Sequence, residues 1–211
     1  MDGRERRAWM DIIDPTELNM HIAETGQAET NAKLMELMLK EYPVKDLLIP
    51  GCGNAQFADY VDPDFGCKLT LTDIRPEFLV NAFASLRGKV EGYSTGIDDI
   101  EDTKLKGPYG GIFITLVLQH VEWRKAIDSM LSLNPTNLYT IIQEQKDGRH
   151  PVTLTRKLLP SIREFSEMTS GLLVPRDGLV EHMNGCDYNL LKTYERPVPD
   201  DKVMTGLVFG K

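Results

Sequence analysis

Two stretches of this chain carry residues able to hold a nucleoside. Leu47-Leu48-Ile49-Pro50 is an apolar run entering the turn Gly51-Cys52-Gly53-Asn54-Ala55, and twenty residues after Gly53 a second apolar run ends on Asp73. A buried parallel strand delivers the chain to a tight turn, and glycine lets backbone approach a ligand with no Cβ in the way. An ionised carboxylate at the end of the next strand can accept from both hydroxyls of a ribose.

Two classes of nucleoside site share this spacing. The dinucleotide fingerprint is G-x-G-x-x-G, and its third glycine is replaced here by Gln56. The stretch instead resembles motif I of the class I S-adenosylmethionine-dependent methyltransferases, whose G-x-G-x-G core appears as Gly51-Cys52-Gly53-Asn54-Ala55. Ala55 departs from the last glycine of that pattern, and Ile49-Pro50 stands where most members carry an acid, as it does in thiopurine and halide methyltransferases. The resemblance implies that Gly51, Cys52, Gly53, Asn54 and Gln56 lie near the methionine end of the cofactor, Asp73 on the ribose and Ile74 on the adenine. Asp98 or Asp99 matches the acid that accepts from the adenine amino group in many members, a solvated acidic loop being the alternative.

Residues 109 to 121, YGGIFITLVLQHV, resemble motif IV of the small-molecule members, with Gly110 in place of its aspartate. By that resemblance Thr115 and Leu116 present backbone to the cofactor and His120 borders the methyl-transfer site, as catalytic base or as a structural histidine. No Asn/Asp-Pro-Pro-Tyr/Phe signature is present, which argues against methylation of base amino groups or glutamine. Open α/β sheets bind ligands at the C-terminal ends of their strands. Trp123, Gln143, Glu144 and His150 are candidates there, Glu144 and His150 as further bases and Trp123 and Gln143 toward substrate. His21, Gln27 and Asn31 lie just before and within the first long helix, a segment that closes over the cofactor in many methyltransferases.

The elements that must position these residues alternate. Leu34, Met35, Leu37, Met38 and Tyr42 recur at helical spacing until Pro43 stops the pattern. Strands are expected over 46–49, 68–72, 90–93, 111–118 and 138–143, with helices over 76–86 and 123–133 between them. Residues 146 to 175 break the rhythm with Pro151, Pro160, Gly171 and Pro175 and read as a cap. A last helix over 176–184 precedes two strands, 188–195 and 203–209, joined closely enough to form an antiparallel hairpin. The expected fold is α/β: a three-layer sandwich around a doubly wound, mostly parallel seven-stranded sheet ending in that hairpin. One domain is expected, comprising a helical arm (1–43), a cofactor-binding core (44–145), cap and last helix (146–185) and hairpin (186–211).

Bulk properties narrow the function. The 211 residues are 41% hydrophobic and 27% charged, values of an ordinary globular chain. No apolar run approaches the roughly 20 residues that cross a bilayer, and the charged start MDGRERR is unlike a secretion signal. A cytoplasmic protein without a membrane partner is expected. A net charge of −8 repels nucleic-acid phosphates, and Arg4, Arg6 and Arg7 read as a solvated arm. Cys52, Cys67 and Cys186 are odd in number and form no C-x-x-C, which argues against a disulfide framework or a zinc site.

The expected activity is therefore transfer of a methyl group from S-adenosyl-L-methionine, with S-adenosyl-L-homocysteine as product, to an oxygen, nitrogen or sulfur of a small molecule. Methylation of a basic peptide or protein side chain, and a methyltransferase-like subunit that binds without catalysis, remain the alternatives. Sequence leaves the oligomeric state open.

Overall fold

The computed structural model describes residues 9–145, 152–153, 158–168 and 173–211. Asp14 opens the first helix, α1 (Pro15–Glu24), by accepting from the amides of Thr16 and Glu17, both at 2.9 Å, while Pro15 takes the first helical position. Helix α2 (Gln27–Glu41) follows after Gly26 and buries Leu34, Met35, Met38 and Leu39. Strand β1 (Asp46–Pro50) then enters the glycine turn, and a short 3-10 turn (Gln56–Asp59) leads on to β2 (Lys68–Asp73).

Helix α3 (Pro76–Leu86) starts on its proline, and β3 (Ser94–Ile97) and β4 (Gly111–Thr115) come next. A second 3-10 turn (Leu118–His120) precedes α4 (Trp123–Leu131) and β5 (Asn137–Gln145). Within the expected cap lies α5 (Pro160–Met168), followed by α6 (Arg176–Gly185), β6 (Asn189–Val198) and β7 (Lys202–Gly210).

The seven strands form one sheet in the order β3-β2-β1-β4-β5-β7-β6. β1 is parallel to β2, with Leu47 opposite Leu69, and to β4, with Leu47 opposite Gly111. β7 runs antiparallel between β5 and β6, which delivers the expected hairpin. Because β2 lies on one side of β1 and β4 on the other, the chain reverses its direction of advance between β1 and β4. Such a reversal leaves a crevice at the carboxyl ends of the two strands.

Side chains alternate across each strand. Phe113 and Tyr139 stack at 5.5 Å on one face beneath Leu34 and Met38 of α2 and Ala82 and Leu86 of α3. Ile112, Ile114 and Leu138 face the other way, against Ala126, Ile127 and Met130 of α4 and Leu179 and Met183 of α6. A third, smaller cluster joins Ile13 and Leu18 of the arm to Phe78 of α3 and Ile162 and Phe165 of α5. Arm and cap segment thus share one apolar core. No helix among the described residues is long and apolar enough to cross a membrane.

Two expected strands differ from the structure. The third lies at Ser94–Ile97, beyond Val90–Tyr93, because it is a sheet edge with little burial and lacks an apolar pattern. Val90 and Tyr93 pack on the core from the preceding loop, where Gly92 has φ 79°. The fourth strand ends at Thr115 rather than residue 118, since Leu116 turns to φ 55° and redirects the chain.

Candidate active site

The turn after β1 holds three consecutive alternate residues in the left-handed region: Gly51 (φ 60°), Gly53 (φ 52°) and Ala55 (φ 51°). The same conformation explains the glycine usual at the last position, and Ala55 adopts it at a cost of roughly 1–2 kcal/mol. The Cys52 amide donates to the Thr72 carbonyl at 3.0 Å and the Gly53 amide to Asp73 Oδ2 at 3.0 Å, so the turn is clamped to the end of β2. The Arg75 amide donates to Asp73 Oδ1 at 3.0 Å. Burial pushes the Asp73 carboxyl above its ordinary range, against the opposing pull of the Arg75 and Gly53 amides. Burial, with Asp73 nearby, also raises the Cys52 thiol well beyond the usual cysteine range, so it is protonated and packs rather than reacts.

A cavity of about 240 Å³ opens at the carboxyl ends of β1 and β4. Gly51, Cys52, Gly53, Asn54, Gln56, Asp73 and Ile74 line it from the first two strands. Asp98, Asp99, Thr115, Leu116 and His120 line it from the ends of β3 and β4, and Gln143 from β5. The arm and α2 supply His21, Gln27 and Asn31, together with Trp9, Ile13 and Leu18.

Within this set the roles separate. Asp98 accepts from Thr103 Oγ1 at 2.7 Å and the Lys104 amide at 2.9 Å, so both its oxygens build the loop that follows. Asp99 accepts from the Glu101 amide through Oδ1. Asn54 turns its amide nitrogen toward the arm, donating to the Pro15 carbonyl at 2.9 Å and Asn19 Oδ1 at 2.7 Å, and Gln56 donates to the same Asn19 oxygen. Gln27 Nε2 donates to Gln143 Oε1 at 3.3 Å. Asn31 Oδ1 is buried with no hydrogen-bond partner among the described residues, an acceptor at the cavity wall awaiting a donor.

Several groups in and around the cavity have no sequence signature. Arg75 Nη1 donates to the carbonyls of Trp9 at 3.0 Å and Ile13 at 2.7 Å, fastening the arm beside Asp73. Trp9 stacks on the His120 imidazole with centroids 4.8 Å apart, and Phe165 of α5 meets both rings edge-on at 5.9 and 5.6 Å. Lys202, at the start of β7, is wholly buried and donates to Thr153 Oγ1 at 2.9 Å, with Asp200 Oδ2 at 3.4 Å. Burial and the Lys202 charge hold the His21 imidazole below its ordinary pKa. Lys202 follows a turn of Pro-Val-Pro-Asp-Asp, where a lysine reads as solvated.

Two expected site residues are placed elsewhere. Glu144 points to the sheet face opposite its neighbour Gln143, where it takes Arg176 Nε at 3.0 Å and accepts from Thr205 Oγ1. The alternation of a strand puts one of the two in the cavity and excludes the other. Trp123 begins α4, stacks under the Arg124 guanidinium at 4.1 Å and meets His182 edge-on at 5.6 Å, away from the cavity lining. His150 lies outside the described residues.

No protein-family model matches the chain, and no curated protein matches it. Among solved structures it is similar to magnesium protoporphyrin IX methyltransferase (ChlM) from Synechocystis PCC 6803 with bound SAH. The TM-score is 0.67 at 15% identity, over 99% of this chain and 93% of that one. It is also similar to the N-methyltransferase NodS from Bradyrhizobium japonicum WM9, with TM-score 0.63 and 18% identity over 88% of this chain and 96% of that one. The chain therefore has the Rossmann-like fold of the class I S-adenosylmethionine-dependent methyltransferases.

Proposed function

We propose that this protein transfers a methyl group from S-adenosyl-L-methionine to a small-molecule acceptor with an apolar body, releasing S-adenosyl-L-homocysteine. The observation that carries the reading is the Gly53–Asp73 clamp at the wall of a cavity set where β1 and β4 diverge. The residues fit such a cofactor. A Cβ on Gly53 would meet nothing within 4 Å, so the turn leaves open space there, and Asn31 Oδ1 offers an unmatched acceptor to the cofactor's ammonium.

In this reading Asp73 accepts from the ribose diol and Ile74 packs on the adenine. Asp98 or Asp99, both on the cavity wall, is the acid for the adenine amino group. Gly51, Gly53, Thr115 and Leu116 present backbone to the methionine part. The bound sulfonium supplies an already activated methyl electrophile. The chain's own task is to align an acceptor atom and exclude water, and alignment of this kind lowers barriers by roughly 7 kcal/mol or more in favourable cases.

Trp9, Ile13, Ile162 and Phe165 wall the far end of the cavity and suit an apolar acceptor body. A soft or ionised nucleophile needs no base there. Where a hydroxyl or ammonium must lose a proton, His21 is neutral near pH 7 and His120 stands across the same space, and both are available as bases.

The test is calorimetric titration with S-adenosylmethionine and S-adenosylhomocysteine, with NADH as comparator and Asp73→Ala as control, followed by an acceptor screen read as S-adenosylhomocysteine formed. Micromolar binding of the sulfur nucleosides, lost in the variant, supports the reading. Preference for NADH, or binding of neither, rejects it.

A further inference from the structure

On the opposite side of the sheet from the arm, α4 and α6 bring together three side chains that the methyl-transfer reading does not use. His182 and Cys186 are four residues apart on and just past α6, so they project from one side of the helix. Asp128 of α4 faces them, its Oδ1 2.8 Å from His182 Nε2. One ligand atom from each of Asp128, His182 and Cys186 lies within 4.8 Å of the other two.

We infer that Asp128, His182 and Cys186 form a zinc site that staples α4 to α6. A carboxylate oxygen, an imidazole nitrogen and a thiolate are the donor set zinc takes, at about 2.0–2.3 Å, with a fourth position left to water. Ligand atoms on such a tetrahedron lie about 3.3–3.8 Å apart. Asp128 and His182 therefore part slightly while the Cys186 sulfur moves inward, shifts within the reach of rotamers of half-exposed side chains. The edge of Trp123 against the His182 ring, with centroids at 5.6 Å, sets the plane of the imidazole.

The surroundings favour a cation. Asp128 and Asp187 set two carboxylates near the Cys186 sulfur. On binding, Zn²⁺ takes the sulfur as thiolate and the thiol proton leaves to solvent. The three cysteines are too scattered in sequence to suggest this arrangement. His182 and Cys186 meet Asp128 only because the two helices pack on the same sheet face.

The experiment titrates the full chain with Co²⁺ as a spectroscopic stand-in and Zn²⁺ as competitor, alongside Cys186→Ser and Asp128→Asn. The expected result is a thiolate-to-cobalt charge-transfer band in the near ultraviolet at one equivalent, bleached by Zn²⁺ and absent from Cys186→Ser. Zinc should raise Tm by several degrees in the native chain and by much less in Asp128→Asn, whose exposed carboxylate is dispensable for folding. A band that survives Cys186→Ser comes from another thiol and overturns the inference, as does the absence of any band or of a Tm shift. Cofactor binding plays no part in either readout, so the outcome is independent of the proposed activity.

Discussion

The backbone amide of Gly53 donates to Asp73 Oδ2 at 3.0 Å, so the turn after β1 and the acid ending β2 are held in register by the protein itself. Burial raises the Asp73 carboxyl, while acceptance from ribose hydroxyls requires the ionised form. Protonation of a raised carboxylate favours the free fold at low pH, and cofactor binding pulls the other way. Affinity for S-adenosylmethionine should therefore fall as pH drops through the raised value, starting above the pH at which an ordinary aspartate titrates. Asp73→Asn should flatten that profile, and Asp73→Ala should weaken binding about 100-fold or more, since a hydrogen bond to a charged group contributes about 1.5–3 kcal/mol. Calorimetry across a pH series checks both.

The two glycines of the turn should respond differently to alanine. A Cβ at Gly51 would meet Val117 Cγ2 at 2.5 Å, whereas one at Gly53 would meet nothing within 4 Å. Both have positive φ and carry strain of roughly 1–2 kcal/mol as alanine. Gly53→Ala should fold with Tm lowered by about 2–8 °C and lose at least 10-fold in cofactor affinity. Gly51→Ala should show the larger fall in Tm. Equal melting temperatures for the two variants would contradict the packing of Val117 on the turn.

Arg75 fastens the arm through the carbonyls of Trp9 and Ile13. Arg75→Met should leave the thermal transition of the sheet nearly unchanged and make the segment before α1 cleave faster in limited proteolysis. Cofactor should dissociate about 10-fold faster or more, since charge-assisted bonds of about 1.5–3 kcal/mol each are removed. Stopped-flow displacement measures the dissociation rate.

Lys202 adds to burial in holding the His21 imidazole low. Removing that charge by Lys202→Met should raise the His21 pKa without restoring its ordinary value, because the burial remains. An NMR titration of the imidazole reads the shift directly. If His21 is the base, the acidic limb of kcat/KM moves upward with it.

Glu144 is committed to Arg176 and Thr205 on the face away from the cavity. Glu144→Gln should leave turnover within about twofold of the native enzyme. A large loss in kcat would place a carboxylate in the chemistry that the geometry keeps out.

The parts legible in the sequence are those whose environment is uniform along the chain. β1 and β2 are buried on both faces and read as apolar runs, and the turn between Gly51 and Ala55 depends on local backbone conformation. β3 is an edge strand with polar, exposed residues and carries no such pattern. Gln143 and Glu144 are adjacent polar residues whose separation into inside and outside depends on how β5 is seated between β4 and β7. Asn54 and Gln56 sit in the expected motif, yet their amide nitrogens answer to Asn19, a partner more than thirty positions away. Long-range partners of this kind, like the carbonyls gripped by Arg75, exist only once the arm has docked.

The arm and α5 are tied to one another directly: the Asp14 amide donates to Ser161 Oγ at 3.2 Å and the Ser161 amide to Glu17 Oε2 at 2.7 Å. Under the proposed function, the acceptor end of the cavity is thus made from two pieces of chain nearly 150 positions apart that hold each other, while the sheet carries the nucleoside half. Choice of acceptor can drift during evolution without touching the strands that keep the protein folded. It cannot drift one piece at a time, because a substitution on the arm that reshapes the wall is felt at once by α5. On that proposal, a change of acceptor is accordingly a problem of matched pairs drawn from these two segments, with β1 to β4 left as they stand.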